Sequence, residues 1–187
     1  SEFWEMDTVL SARGCLKCIL TFVDPEISLF YARLLPCHEP CYVERAFDTL
    51  EKTLGGVYEF QSMLPVILTD RGSEFGKPDN LETNKDGIIR TSIYYCDPMR
   101  SGQKGCLEEA HTLLRMILPK GTLFTDLTQW DVRRIVNHMN SYARKNLEGA
   151  TPYQLALKKY GPEILEALQI KFIPPDEVTM SPDLLKK

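Results

Sequence analysis

At 187 residues and 43% hydrophobic, the sequence suffices for one domain with a sizeable core, and no run of about 18 apolar residues offers a membrane span. The formal net charge of −4 argues mildly against nucleic acid, but it hides a segregation: residues 1 to 99 hold 9 Lys+Arg against 16 Asp+Glu, while residues 100 to 159 hold 10 against 5. A basic block following an acidic one is usually a solvated face, yet it also suits phosphate held against metal ions. The start carries no signal-peptide pattern, and cysteines 15 and 18 fall inside an apolar run, so a cytoplasmic protein with reduced thiols is expected.

Trp4 to Leu10 reads as a first strand, Cys15 to Val23 as a second and Ser28 to Leu35 as a third. Turns as short as Ala12-Arg13-Gly14 and Asp24-Pro25-Glu26 make these an antiparallel meander. Asp7 is the anomaly, because aspartate is depleted in strands; it is either an edge residue facing water or a site residue. Asp24 precedes a proline in a turn, which accounts for it.

Tyr42 to Leu54 has helical period, with Val43, Ala46, Phe47, Leu50 and Leu54 on one face, and Gly55-Gly56 stops it. Val66 to Thr69 is a buried strand that delivers Asp70 to an Asp-Arg-Gly turn, at the sheet edge where loops close around ligands. A polar stretch from Gly76 to Gly87 loops out, and Arg90 to Cys96 forms a fifth strand. Met99 to Gly105 is a basic loop. Cys106 to Leu118 is a helix whose Glu108, His111 and Arg115 share a face away from its apolar stripe. Helices over 128–142 and 151–168 follow. From residue 171 the chain is read as an extended tail on a core of residues 1 to 170.

Acids on the first strand, after the fourth and on the helix after the fifth can converge on two divalent cations about 3.5–4 Å apart, an arrangement for in-line attack on a phosphodiester. Oxygen-only ligands favour Mg²⁺ or Mn²⁺ over zinc. A different reading uses Cys15, Cys18, Cys37, His38 and Cys41, whose spacings permit a zinc site and a non-catalytic interaction module.

At this point the sequence resembles the catalytic core of the bacterial insertion-sequence-thirty family of DDE transposases. Trp4-Glu5-Met6-Asp7-Thr8-Val9 is similar to the family's first-acid strand and Leu68-Thr69-Asp70-Arg71-Gly72-Ser73-Glu74-Phe75 to its second-acid segment. Tyr95-Cys96-Asp97-Pro98, Gln103-Lys104-Gly105 and Glu108 are similar to the approach to the third acid, with 37 residues between Asp70 and Glu108. Leu118-Pro119-Lys120-Gly121-Thr122, Asn140 to Lys145 and Thr151-Pro152 are similar to the distal pattern. The resemblance implies an α/β, ribonuclease H-like fold of the retroviral-integrase type: a five-stranded mixed sheet, three antiparallel strands then two more, flanked by helices. It implies Asp7, Asp70 and Glu108 as the metal-binding catalytic acids, two Mg²⁺ or Mn²⁺ ions, and transposon-end and target DNA as partners. It also implies a homodimer or higher multimer and a helix-turn-helix region not represented in this sequence. Lys104, His111, Arg115, Arg144 and Lys145 are candidate phosphate contacts. A nuclease of the same fold without strand transfer is the nearest alternative.

Overall fold

A computed structural model describes residues 2–97 and 105–186. Three strands, β1 (Trp4–Leu10), β2 (Cys18–Asp24) and β3 (Leu29–Leu35), form the antiparallel meander. After helices α1 (Pro40–Leu54) and α2 (Val57–Met63) the chain enters β4 (Val66–Thr69), which pairs parallel to β1. The short helix α3 (Pro78–Glu82) leads to β5 (Ser92–Tyr95), parallel to β4, so the mixed sheet has the order β3-β2-β1-β4-β5. Then come α4 (Gly105–Ile117), α5 (Gln129–Asn140), α6 (Pro152–Tyr160) and α7 (Pro162–Ala167). Among the described residues no helix is long and apolar enough to cross a membrane.

The sheet is covered on both faces. On one, Phe22 of β2 meets Phe47 of α1 at 5.9 Å between ring centroids, and Phe47 meets Phe60 of α2 at 5.8 Å. The buried stripe of α1 is Val43, Ala46, Phe47, Leu50 and Leu54, as its period dictates. The other face carries α4, which buries Leu107, Ala110, Leu114 and Ile117. Arg90 is 1% exposed beside Phe47 and Phe60, and four groups engage it: Asp48 at 2.8 Å, Glu51 at 3.2 Å and the carbonyls of Leu81 and Asn80 at 2.7 and 3.0 Å.

The outer edge of β3 is closed by side chains of α5. Asn140 accepts from the Phe30 N–H at 2.9 Å and donates to the Phe30 carbonyl at 2.7 Å, and Gln129 accepts from the Leu34 N–H at 2.8 Å.

Several boundaries differ from the sequence expectations. The second strand starts at Cys18, not Cys15, because the preceding loop is bound elsewhere: Ala12 N–H donates to the Thr122 carbonyl, Phe124 N–H to Ser11 Oγ, and Lys17 Nζ to the carbonyls of Thr125 and Leu127. Helix α2 was not expected; Gly55 and Gly56, at φ 109° and 141°, end α1 and let a seven-residue helix restart in a new direction. The polar stretch after Gly76 contains α3, opened by Pro78 and anchored by Leu81. The single helix expected over 151–168 is two, since Gly161 at φ 81° and Pro162 break it. Of the loop expected over Met99 to Gly105, residues 99–104 lie outside the described residues and Gly105 opens α4.

The terminal segment is stitched to α5: Lys171 N–H donates to Asn137, Ile173 N–H to Ser141 and Thr179 N–H to His138 Nδ1 at 3.0 Å. Leu184, in the 3-10 turn Pro182–Leu185, is buried. An accepting Nδ1 requires a neutral ring with its proton on Nε2, and burial, then the Arg134 guanidinium, pull the His138 pKa below its ordinary value. Unfolded histidine takes up its proton near about pH 6.5, above the folded value, so the unfolded state binds more protons as pH falls through that range and stability declines. Protection of the Thr179 amide against hydrogen exchange, corrected for intrinsic rate, is therefore expected to drop between about pH 7.5 and about pH 5.5. Equal protection at both would contradict this role for His138.

Candidate active site

Strand alternation decides which residues of β1 face α4. Asp7 pairs with Thr21 and Glu5 with Val23, so these four share a face. His111 of α4 reaches that face, its Nε2 lying 2.8 Å from Thr21 Oγ1, and Thr21 Oγ1 donates to the Asp7 carbonyl at 3.0 Å. Glu5, 3% exposed, accepts from the Leu107 N–H at 2.7 Å and so fastens the first turn of α4, which carries Glu108, onto β1.

Asp70 arrives from the neighbouring strand. β1 and β4 run parallel, with Trp4 opposite Ile67 and Glu5 opposite Leu68. Continued past the end of β4, that register sets Asp70 beside Asp7 on the α4 face. Thr69 Oγ1 donates to the Met6 carbonyl at 3.0 Å, which ties the strands together just before the two acids. Each aspartate is oriented by a nearby backbone N–H: Thr8 N–H donates to Asp7 Oδ1 at 2.7 Å and Gly72 N–H to Asp70 Oδ1 at 3.0 Å. The turn itself is pinned by buried Phe75, whose carbonyl accepts from Tyr95 Oη at 2.6 Å.

Beside the acids is an open groove of about 490 Å³, lined by Thr8 to Leu10 of β1, by Glu108, His111, Thr112 and Arg115 of α4, and by Lys120. The helical spacing of Glu108, His111 and Arg115 therefore brings all three to one surface. Arg115 donates to the Leu118 carbonyl at 3.2 Å and to that of Leu10 at 3.5 Å; burial lowers its pKa from the ordinary value.

Asp7, Asp70 and Glu108 offer only carboxylate oxygen, the donor chemistry of Mg²⁺ and Mn²⁺. Among the described residues no three His, Cys, Asp or Glu side chains lie close enough to share a cation. Asp7 and Asp70 come to neighbouring positions on the sheet, and Glu108 is exposed on α4.

Two other expectations, for Arg144 and for the cysteines, meet the structure differently. Arg144 is 5% exposed: Nη2 donates to the Met139 carbonyl at 3.0 Å, the guanidinium stacks on Tyr142, and burial lowers its pKa. It braces the α5–α6 connection from inside, which corrects its reading as a phosphate contact. Lys145 is exposed in the adjoining 3-10 turn, and Lys104 lies outside the described residues. The cysteines form no zinc cluster among the described residues. Cys18 is buried in β2, where desolvation, then Glu74 and Cys37, push its thiol up to about 12; Cys15 sits in the β1–β2 loop; Cys37 and Cys41 both donate toward Glu39. His38 instead bonds Glu74, Nε2 to Oε1 at 2.8 Å.

The sequence by itself assigned no role to Glu5, or to Glu74 beyond its place in the second-acid segment. The signal for Glu5 was present: strand alternation puts it on the face of Asp7, and a glutamate between Trp4 and Met6 needs a partner once buried.

The chain is 26% identical over 148 residues to the transposase of insertion sequence element IS4351 from Bacteroides fragilis, across 79% of this chain and 42% of that protein. It is 36% identical over 86 residues to the IS1086 transposase of Cupriavidus metallidurans, across 46% of this chain and 24% of the relative. It is 32% identical over 87 residues to the InsI transposase of IS30A from Escherichia coli, across 46% and 21%. The chain thus spans less than half the length of these relatives. No protein-family model matches it. In structure it is similar to the catalytic core domain of BIV integrase, with a TM-score of 0.58 at 18% identity over 85% of this chain and 95% of that one. It is also similar to the HTLV-2 integrase catalytic core solved with magnesium, with a TM-score of 0.56 at 17% identity over 82% and 94%. The fold is that of integrase catalytic cores, and the sequence is similar to transposases of bacterial insertion elements, IS30 among them.

Proposed function

We propose that this chain performs phosphoryl transfer on DNA, cleaving at the ends of a mobile element and joining the 3′-hydroxyls to target DNA, with Asp7, Asp70 and Glu108 as the cation-holding acids. What supports the reading is the register of β1 and β4, which, continued past the end of β4, brings Asp7 and Asp70 to neighbouring positions on the sheet face covered by α4, the helix that bears Glu108. Bound Mg²⁺ or Mn²⁺ ions would polarise the scissile phosphate and activate the attacking hydroxyl.

The chain's own residues hold the geometry. Asp7 sits within β1 and Asp70 just past the end of β4, each accepting from a backbone N–H, so little reorganisation would be left for the moment of reaction. Glu108 stays adjustable on its helix. Arg115, Lys120 and His111 line the groove that a phosphodiester backbone would follow, and Lys104 and Lys145 are further phosphate contacts in this reading. A dimer or larger assembly would pair two DNA ends.

A crystal soaked in Mn²⁺ tests the assignment directly: an anomalous peak is expected between Asp7 and Asp70, within reach of Glu108. An empty map there, with and without a DNA oligonucleotide bound, would overturn it. Joined strands among the products of an oligonucleotide assay support the transferase, while cleaved but unjoined products would assign a nuclease.

A further inference from the structure

Glu74 is 4% exposed, and its two oxygens have very different surroundings. Oε1 receives two groups: Thr8 Oγ1 donates to it at 2.7 Å, and His38 Nε2 lies at 2.8 Å. Thr8 Oγ1 and His38 Nε2 are 3.0 Å apart, which closes a triangle. Oε2 has no hydrogen-bond partner among the described residues, although burial of an unpaired carboxylate oxygen is costly. It faces the backbone of Gly72. A side chain at Gly72 would place its Cβ 2.8 Å from Glu74 Cδ and closer still to Oε2, so any larger residue there has to displace the Glu74 carboxylate. The backbone angle gives no other reason, since φ of −58° suits any residue.

Thr8 and Gly72 are also the residues whose N–H groups orient Asp7 and Asp70. We infer that Glu74 is a positioning residue: its carboxylate, fastened by Thr8 and His38 and pressed against Gly72, ties β1 to the turn after β4 and holds the two aspartates at a fixed separation. Its side chain reaches β1 through Thr8, which points to the face opposite Asp7, so Glu74 acts from beneath the site. The inference rests on the reading of Asp7 and Asp70 as cation ligands.

The test is Mn²⁺ binding by the intact chain without DNA, followed by electron paramagnetic resonance of free Mn²⁺, with thermal melting alongside. Asp7→Asn should weaken binding; if it binds as the wild type does, the aspartates are not ligands and the inference falls with that reading. Glu74→Gln should weaken binding about tenfold, the scale at which groups supporting metal ligands act. That variant also removes a charge, so Thr8→Val separates the causes: it breaks the link, keeps Glu74 charged, and should weaken Mn²⁺ binding to a similar degree. Thr8→Ser restores the hydroxyl and should bind like the wild type. Wild-type affinity in Thr8→Val, whether or not its melting temperature falls, overturns the inference, because a merely structural role lowers stability without changing the affinity of the folded chain.

Discussion

Asp70→Asn should lower DNA cleavage and joining at least about a thousandfold, a barrier increase of about 4 kcal/mol, while the melting temperature stays where it was. The substitution is nearly isosteric, and the amide oxygen still accepts from the Gly72 N–H, so the turn keeps its shape. What disappears is the negative charge with which, on the proposed reading, the side chain would hold a hard cation. Asp7→Asn, whose oxygen still accepts from the Thr8 N–H, and exposed Glu108→Gln should behave alike. Gel assays of labelled oligonucleotides in Mn²⁺ and Mg²⁺, paired with melting curves, read both quantities. Cleavage within a few fold of wild type in a folded Asp70→Asn protein would remove Asp70 from the reaction.

The largest stability effect should come from Arg90→Ala, about 3–5 kcal/mol, the range for breaking a buried ion pair from one side. Arg90 is buried with every nitrogen engaged, and its removal leaves the Leu81 and Asn80 carbonyls without their donor and the Asp48 and Glu51 carboxylates without their shared cation. It also opens a void beside Phe47 and Phe60. At about 2–4 °C per kcal/mol for a chain of this size, melting should fall by roughly 6–20 °C. A drop under about 2 °C would mean that this cluster is not a keystone of the α1, α3 and β5 corner.

The sheet was legible because its cues are local. β1 and β3 lie within a residue of the expected bounds, and the fourth strand falls on Val66–Thr69 as read. The inward faces of α1 and α4 follow from their periods. Helices of five to seven residues escaped: Val57, Phe60 and Met63 make barely two turns, too few for a period to stand out. The start of β2 escaped because what competes for residues 11 to 17 is a segment more than 100 residues away, invisible to any window. The same holds at the site. Asp7 and Asp70 announce themselves as acids in and just after apolar strands, whereas Glu74 acquires meaning only through Thr8 and His38. Arg144 failed in the opposite sense, since a basic run reads as surface until tertiary packing draws one member inward.

The amides of Asn140 and Gln129 along β3 bear on how copies of this chain can meet. A bare edge strand is a template for another strand, and this one has its outward Phe30 N–H and C=O groups and its Leu34 N–H already taken. Continuous sheets running from one copy to the next through β3 are thereby disfavoured, both as a route to assembly and as a route to aggregation. Any pairing of copies on that side has to come from helix surfaces and side chains, where contacts separate more readily than a strand ladder.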